Sequence, residues 1–110
     1  MRRRPLADVK AATRDVERSR SFHGALIAGT AMEPRIIAEI KKASPSRGII
    51  VNNFDPVAIA CSYEEHGARA LSVLTDEHFF QGQLQFISTI KQAVGLPVLR
   101  KDFTLHEYQV

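Results

Sequence analysis

Apolar and polar positions along the chain follow a strand and helix rhythm. The run RIIAEIK, residues 35–41, is β-branched and apolar, which predicts a strand buried on both faces. DPVAIACSYEEHG follows, with Asp55 as N-cap, Pro56 at the first helical position and Gly67 at the close, so a helix is marked at both ends. ALSVLT, residues 70–75, repeats the strand signal. LQFISTIKQAVG then sets Leu84, Ile87, Ile90 and Val94 on one helical stripe ahead of Gly95, and LPVLRKDF gives a third strand. Upstream, residues 5–18 carry Leu6, Val9, Ala12 and Val16 at helical spacing, and SFHGALIAG predicts a second short helical segment ending at Gly29. After Thr104, residues 105–110 open another helix-like segment with no C-terminal cap signal.

Strand, helix, strand, helix, strand is the order of right-handed crossovers and a parallel sheet. Such a sheet needs both faces covered and its edges protected. Two completions satisfy that need: a doubly wound sheet, or a (β/α)8 barrel with helices outside and packed side chains within. No G-x-G-x-x-G turn follows the first strand; KKASPSRG stands there instead, which favours the barrel. The pattern therefore gives an α/β chain with a parallel sheet, either completion standing and the barrel favoured. Residues 1–34 form a helical N-terminal extension, and residues 35–110 form about three parallel strands with their intervening helices. A complete barrel takes about 250 residues, against the 110 here.

Composition narrows the function classes. Hydrophobic residues make up 45% of the chain, yet no apolar run is long enough to cross a bilayer, and no apolar signal-peptide core follows the basic start. A single Cys61 permits no internal disulfide, which together with the missing signal predicts a cytoplasmic protein. The formal net charge is +3, but only residues 2–4 form a basic cluster, without the wider aromatic-interleaved stripe of a nucleic-acid binder. His23, His66, His78 and His106 lack metal-site spacing with each other or with Cys61, so no metal is expected. Cys61 and Tyr63 fall within the helix of DPVAIACSYEEHG and read as packing residues.

Charged residues at strand ends are the informative chemistry. Alternation puts Glu39 and Lys41 on one face at the carboxyl end of the first strand, and Lys101 ends the third strand on the face of Leu99. In a parallel barrel these three side chains converge on the rim where active sites are built. Singly, each also reads as a solvated ion pair, a polar turn or a lysine stem snorkelling to water; repetition at two strand ends favours convergence on a polar ligand. The loop SPSRG offers hydroxyl, backbone and guanidinium donors from Ser44, Ser46, Arg47 and Gly48 to a phosphate, and equally reads as turn chemistry. In TDEHFFQG, residues 75–82, Phe79 and Phe80 either wall an aromatic substrate or pack, while Asp76, Glu77 and His78 read as a solvated loop face.

IIAEIKKASPSRG, FDPVAIACSYEEHGARALSVLTDEHFFQG and LPVLRKDF, in that order, resemble indole-3-glycerol phosphate synthase from about Ile36 onward. PLADVKAATRDVERSRSFHGAL is similar to that family's helical extension. The resemblance implies a (β/α)8 barrel that closes the indole ring of 1-(2-carboxyphenylamino)-1-deoxyribulose 5-phosphate, with loss of carbon dioxide and water, without metal or organic cofactor. It implies Lys101 as the general acid to the ribulose carbonyl oxygen, and Lys41 as the second active-site lysine, near the substrate carboxylate. Glu39 becomes the glutamate beside them, Ser44 a phosphate contact, and Phe80 and Phe103 neighbours of the substrate ring. It also implies that this chain is the truncated N-terminal part of such a TIM barrel, with the family's further catalytic groups on middle strands, and its main phosphate loops, lying outside it. Two other readings stand beside it. One is a finished, non-catalytic half-barrel that self-associates, or pairs with a complementary fragment, through open strand edges. The other is a different phosphate-binding barrel such as phosphoribosylanthranilate isomerase, against which the paired lysines and SPSRG speak. Fusion of the full gene product to a neighbouring pathway enzyme stays open.

Overall fold

The computed structural model describes residues 5–14, 16, 18–29 and 32–105. In chain order its elements are helices α1 (Leu6–Ala12) and α2 (Phe22–Ile27), strands β1 (Ile37–Ile40), β2 (Ala43–Ser44) and β3 (Gly48–Ile49), helix α3 (Pro56–Glu65), strand β4 (Ala70–Leu74), helices α4 (Glu77–Phe80) and α5 (Gln85–Ala93), and strand β5 (Val98–Lys101). β4 lies between β1 and β5 in a three-stranded sheet, and both pairings are parallel. Each parallel step is made by a crossover helix, α3 from β1 to β4 and α5 from β4 to β5, because strands running the same way cannot be joined by a tight turn.

Register decides which face each residue serves. Ala38 pairs with Leu71 and Leu71 with Val98; Ile40 pairs with Val73 and Val73 with Arg100. These rows face the helices, where Ala38, Ile40, Leu71 and Val73 pack with Ala60 of α3 and with Ile90 and Val94 at the end of α5. Fully burying an Ile, Leu or Val side chain contributes about 1.5–3 kcal/mol, so this layer is the main apolar source of stability. The opposite face carries Ile37 and Glu39, then Ala70, Ser72 and Leu74, then Leu99 and Lys101. Here Ile37 is 45% exposed and Leu99 49%. β1 is thus covered on one face, against the expectation of two, and only the central β4 is buried along its whole length. α3 and α5 both contact strands through the helix-side layer; in a (β/α)8 barrel the other face looks inward and is filled by side chains of further strands.

The marked helix ends behave as the sequence implies. Asp55 Oδ1 accepts the Ala58 N–H at 3.1 Å, Pro56 opens α3, and Gly67 takes a left-handed φ of 91° after it. Cys61 does not pack: it is exposed, because Ile59, Ala60 and Tyr63 supply the inner stripe of α3 and Cys61 lies off that stripe. Leu84 is likewise exposed at 57%, standing before α5, while Phe86 and Ile87 take its place against the core.

α1 is shorter than its apolar spacing suggested and ends at Ala12, where the Thr13 hydroxyl donates to the Lys10 carbonyl at 2.6 Å. The expected helix in residues 105–110 falls, from residue 106, outside the described residues. Around SPSRG the chain forms an antiparallel hairpin, β2 with β3, that apolar patterning had not announced.

Candidate active site

Glu39 stands one residue before the end of β1, and Lys41 follows the strand directly. Lys101 closes β5, two strands away across β4. Alternation and register bring all three to the face opposite the helices. The Glu39 carboxylate bridges the two amines: Oε1 lies 3.4 Å from Lys41 Nζ, and Oε2 accepts from Lys101 Nζ at 3.1 Å. One negative charge against two positive ones leaves one positive charge in excess. Side-chain exposures of 35% for Glu39, 33% for Lys41 and 56% for Lys101 make each pair worth about 0–1 kcal/mol. Stability alone is therefore a poor reason for the cluster, and an anionic ligand is a better one.

The backbone under the cluster is held from behind the sheet. Tyr63 of α3 donates its hydroxyl to the Glu39 carbonyl at 3.1 Å, so the side chain read as packing also anchors β1. At the end of β5, Asp102 Oδ2 accepts the buried Thr75 hydroxyl at 2.8 Å and Asp102 Oδ1 accepts the Phe103 N–H at 2.8 Å. Arg100 adds Nε to Thr75 Oγ1 at 3.2 Å and a terminal nitrogen to Asp102 Oδ2 at 3.4 Å. Burial pushes the Asp102 carboxyl upward. The Thr75 hydroxyl, the Phe103 N–H and the Arg100 guanidinium outweigh it and hold the group below its usual value of 3.8.

The two aromatic candidates meet Lys101 at one cavity. A space of about 140 Å³ is lined by Leu74, Asp76, Phe80, Lys101, Asp102 and Phe103. Phe80 reaches it from α4, a single turn inside what the sequence presented as loop. Asp76, read as solvated, caps that turn by accepting the Phe79 N–H at 2.7 Å. Gly82 then returns the chain against the end of β4, so closely that a Cβ there would collide with the Leu74 carbonyl. Ser44 belongs to the neighbouring hairpin, whose strand β2 packs against α4; its Oγ accepts the Arg47 N–H at 3.3 Å and lies 3.5 Å from Ser46 Oγ.

A wider, open groove of about 710 Å³ lies at the other end of the sheet, between α2 and the residues leading into the strands, where Arg69 and Glu33 pair at 2.9 Å. It contains none of the strand-end residues. Arg20 fastens the extension near that end by donating to the carbonyls of Lys91, Val94 and Leu96 at 2.9–3.0 Å. Sequence reading missed this clasp as well as the contact between Thr75 and Asp102. Both join residues far apart in the chain, and neither has a spacing signature.

A parallel sheet with crossover helices on one face, and charged side chains gathered at the carboxyl ends of β1 and β5 on the other, is the layout of part of a (β/α)8 barrel enzyme scaffold. The family model for indole-3-glycerol phosphate synthase matches residues 1–110, and the chain belongs to that family. It is 51% identical over 106 residues to the indole-3-glycerol phosphate synthase of Rhodopirellula baltica, covering 96% of this chain and 40% of that protein. Against the synthase of Chlorobium phaeovibrioides it is 63% identical over 76 residues, 69% of this chain and 30% of the relative. Against that of a Polaromonas species it is 49% identical over 111 residues, with 100% and 42% covered. The chain thus spans about 40% of the length of curated relatives matched along nearly all of it. Among the described residues no helix is long and apolar enough to cross a membrane, and no three His, Cys, Asp or Glu side chains are grouped to hold a metal ion.

Proposed function

We propose that this sequence supplies the first strands, and two of the working lysines, of a carbon–carbon lyase that closes the indole ring in tryptophan biosynthesis. Residues 1–34 act as the helical extension and residues 35–110 as the opening of the barrel, in the cytoplasm. The substrate is the phosphorylated anthranilate–ribulose conjugate 1-(2-carboxyphenylamino)-1-deoxyribulose 5-phosphate. The observation that carries this reading is the Glu39 carboxylate bridging Lys41 and Lys101 at 3.4 and 3.1 Å on one open face.

Each residue then has a defined task. The ring carbon bearing the carboxylate attacks the ribulose carbonyl carbon, a carbon–carbon bond forms, and the carbonyl electron pair moves to oxygen. Lys101 gives its proton to that oxygen as charge develops there. The carboxylate leaves as carbon dioxide and its bonding electrons restore the aromatic ring; the new hydroxyl and a proton from the neighbouring methylene carbon then leave as water, which completes the indole. Lys41 receives the substrate carboxylate and serves proton transfer in the dehydration. Glu39 aims both amines, Phe80 and Phe103 flank the aromatic ring, and Ser44 contacts the phosphate.

A barrel-length protein carrying this sequence should form indole glycerol phosphate, followed by its fluorescence, whereas Lys101→Ala should lose nearly all turnover. The 110-residue chain assayed alone should be inactive. Equal turnover by the short chain, or an active Lys101→Ala, would refute the assignment. The exposed Ile37 and Leu99 favour one companion reading: produced alone, the chain associates through its open sheet with a second copy or with a complementary barrel fragment.

A further inference from the structure

We propose that Thr75 and Asp102 are positioning residues for Lys101, forming a clamp on the helix side of the sheet that aims the amine at the opposite face. The inference rests on the reaction assigned above and adds to it the groups that make Lys101 point where it must.

Lys101 is poorly held by its own side chain. Its stem is long and flexible, its side chain is 56% exposed, and its ammonium meets Glu39 in a half-exposed pair. The direction of the side chain is therefore set mainly by the backbone from which it springs. That backbone is tied twice to one residue of β4's end: the Thr75 N–H donates to the Lys101 carbonyl at 3.2 Å, and the Thr75 hydroxyl donates to Asp102 Oδ2 at 2.8 Å. Arg100, one residue before Lys101, closes the ring through Thr75 Oγ1 at 3.2 Å. Thr75 is 4% exposed and so has a fixed place of its own.

Alternation turns this clamp into an aiming device. Leu74 pairs with Lys101, so Thr75 and Asp102 fall in the next register position, and Arg100 shares their side of the strand. With Arg100 and Asp102 both held to the helix side, the residue between them is obliged to face the other way, towards Glu39. Asp102 also accepts the N–H of Phe103, which fixes the chain on the far side of Lys101 and sets the second residue of the small cavity. A rotation of this strand end would swing the amine away from Glu39 and from any ligand above it, and an error of about 1 Å in a reacting group can cost about 10²-fold in rate.

The test uses a barrel-length protein carrying this sequence. Thr75→Val removes the hydroxyl at nearly constant shape, Asp102→Asn weakens the acceptor, Thr75→Ser returns the hydroxyl, and Arg20→Ala is a control lesion at the opposite end of the sheet. Thr75→Val and Asp102→Asn should lower kcat by roughly 10²-fold with KM changed less than about threefold, the mark of a group that acts in the transition state. Thr75→Ser should recover most of kcat, and Arg20→Ala should lower Tm while leaving kcat unchanged. If Thr75→Val loses Tm but keeps wild-type kcat per folded molecule, in a protein that Lys101→Ala inactivates, the clamp is only structural and the proposal is wrong while the reaction stands. If Lys101→Ala keeps full turnover, the reaction assignment falls and this proposal with it.

Discussion

Glu39→Gln separates a working charge cluster from a decorative one, because it removes one charge at nearly constant shape. Two contacts are lost, to Lys41 at 3.4 Å and to Lys101 at 3.1 Å, between side chains 33–56% exposed. Pairs of that exposure are worth about 0.2–1 kcal/mol each, so the loss of stability should total about 1 kcal/mol. In a barrel-length protein that is a fall in Tm of about 2–4 °C. The excess charge of the cluster meanwhile rises from one positive to two, so an anionic substrate should bind no more weakly and KM should not increase. Turnover should still drop, since both amines lose the carboxylate that aims them; a loss of about 10²-fold corresponds to about 2.7 kcal/mol of transition-state stabilisation. The assay is indole glycerol phosphate formation at saturating substrate, beside thermal unfolding followed by circular dichroism. A fall of about 10 °C in Tm with kcat unchanged would mean that Glu39 serves the scaffold. A raised KM at constant kcat would mean that it binds without assisting the reaction. Either result refutes the reasoning.

Two further changes probe the frame around the site. Gly82→Ala drives a Cβ into the Leu74 carbonyl, a backbone atom with no freedom to retreat, and should cost about 1–3 kcal/mol in urea unfolding; a neutral result would show that the return of the chain after α4 is loose. For Asp102, a carboxyl held below its usual 3.8 adds stability that is fully present above that value and is lost as pH falls through its lower folded value. The stability gap between wild type and Asp102→Asn should accordingly stay constant from pH 7 to about pH 5 and narrow only in strong acid. A gap that already closes near neutral pH would mean that the carboxylate is not what the Thr75 hydroxyl, the Phe103 N–H and Arg100 hold.

The sheet was legible because its signals are local. Ile36, Ile37 and Ile40 mark one strand; Asp55, Pro56 and Gly67 bracket a helix; and Glu39, Lys41 and Lys101 break the apolar pattern where alternation makes their direction predictable. What stayed hidden depends on partners distant in sequence. Nothing near Thr75 announces Asp102, nothing near Arg20 announces the carbonyls of Lys91, Val94 and Leu96, and Tyr63 reads as apolar bulk until its hydroxyl meets the Glu39 carbonyl. Cys61 departs from the packing expected of it because helical phase decides burial: cysteines are often buried, but this one lies off the inner stripe. The hairpin β2–β3 escaped because its strands are two residues long, too short for alternation to register.

Ile37 and Leu99 stand exposed on the open face of the sheet. Both occupy the face that also bears Glu39 and Lys101, and at 45% and 49% exposure they are the apolar floor beneath a charged rim. A floor left open keeps water around the rim, and water weakens what an ammonium can do for a developing oxyanion, since charge stabilisation is far stronger in a dry site. In a closed barrel the same positions are packed in layers by side chains from other strands. On the proposed reading, covering Ile37 and Leu99 would dry the base of the site, and strengthen the interactions of Lys101 and Lys41 with substrate without moving either lysine. The described strands hold the amines together; in the proposed reaction the low dielectric they need comes from what packs on this face.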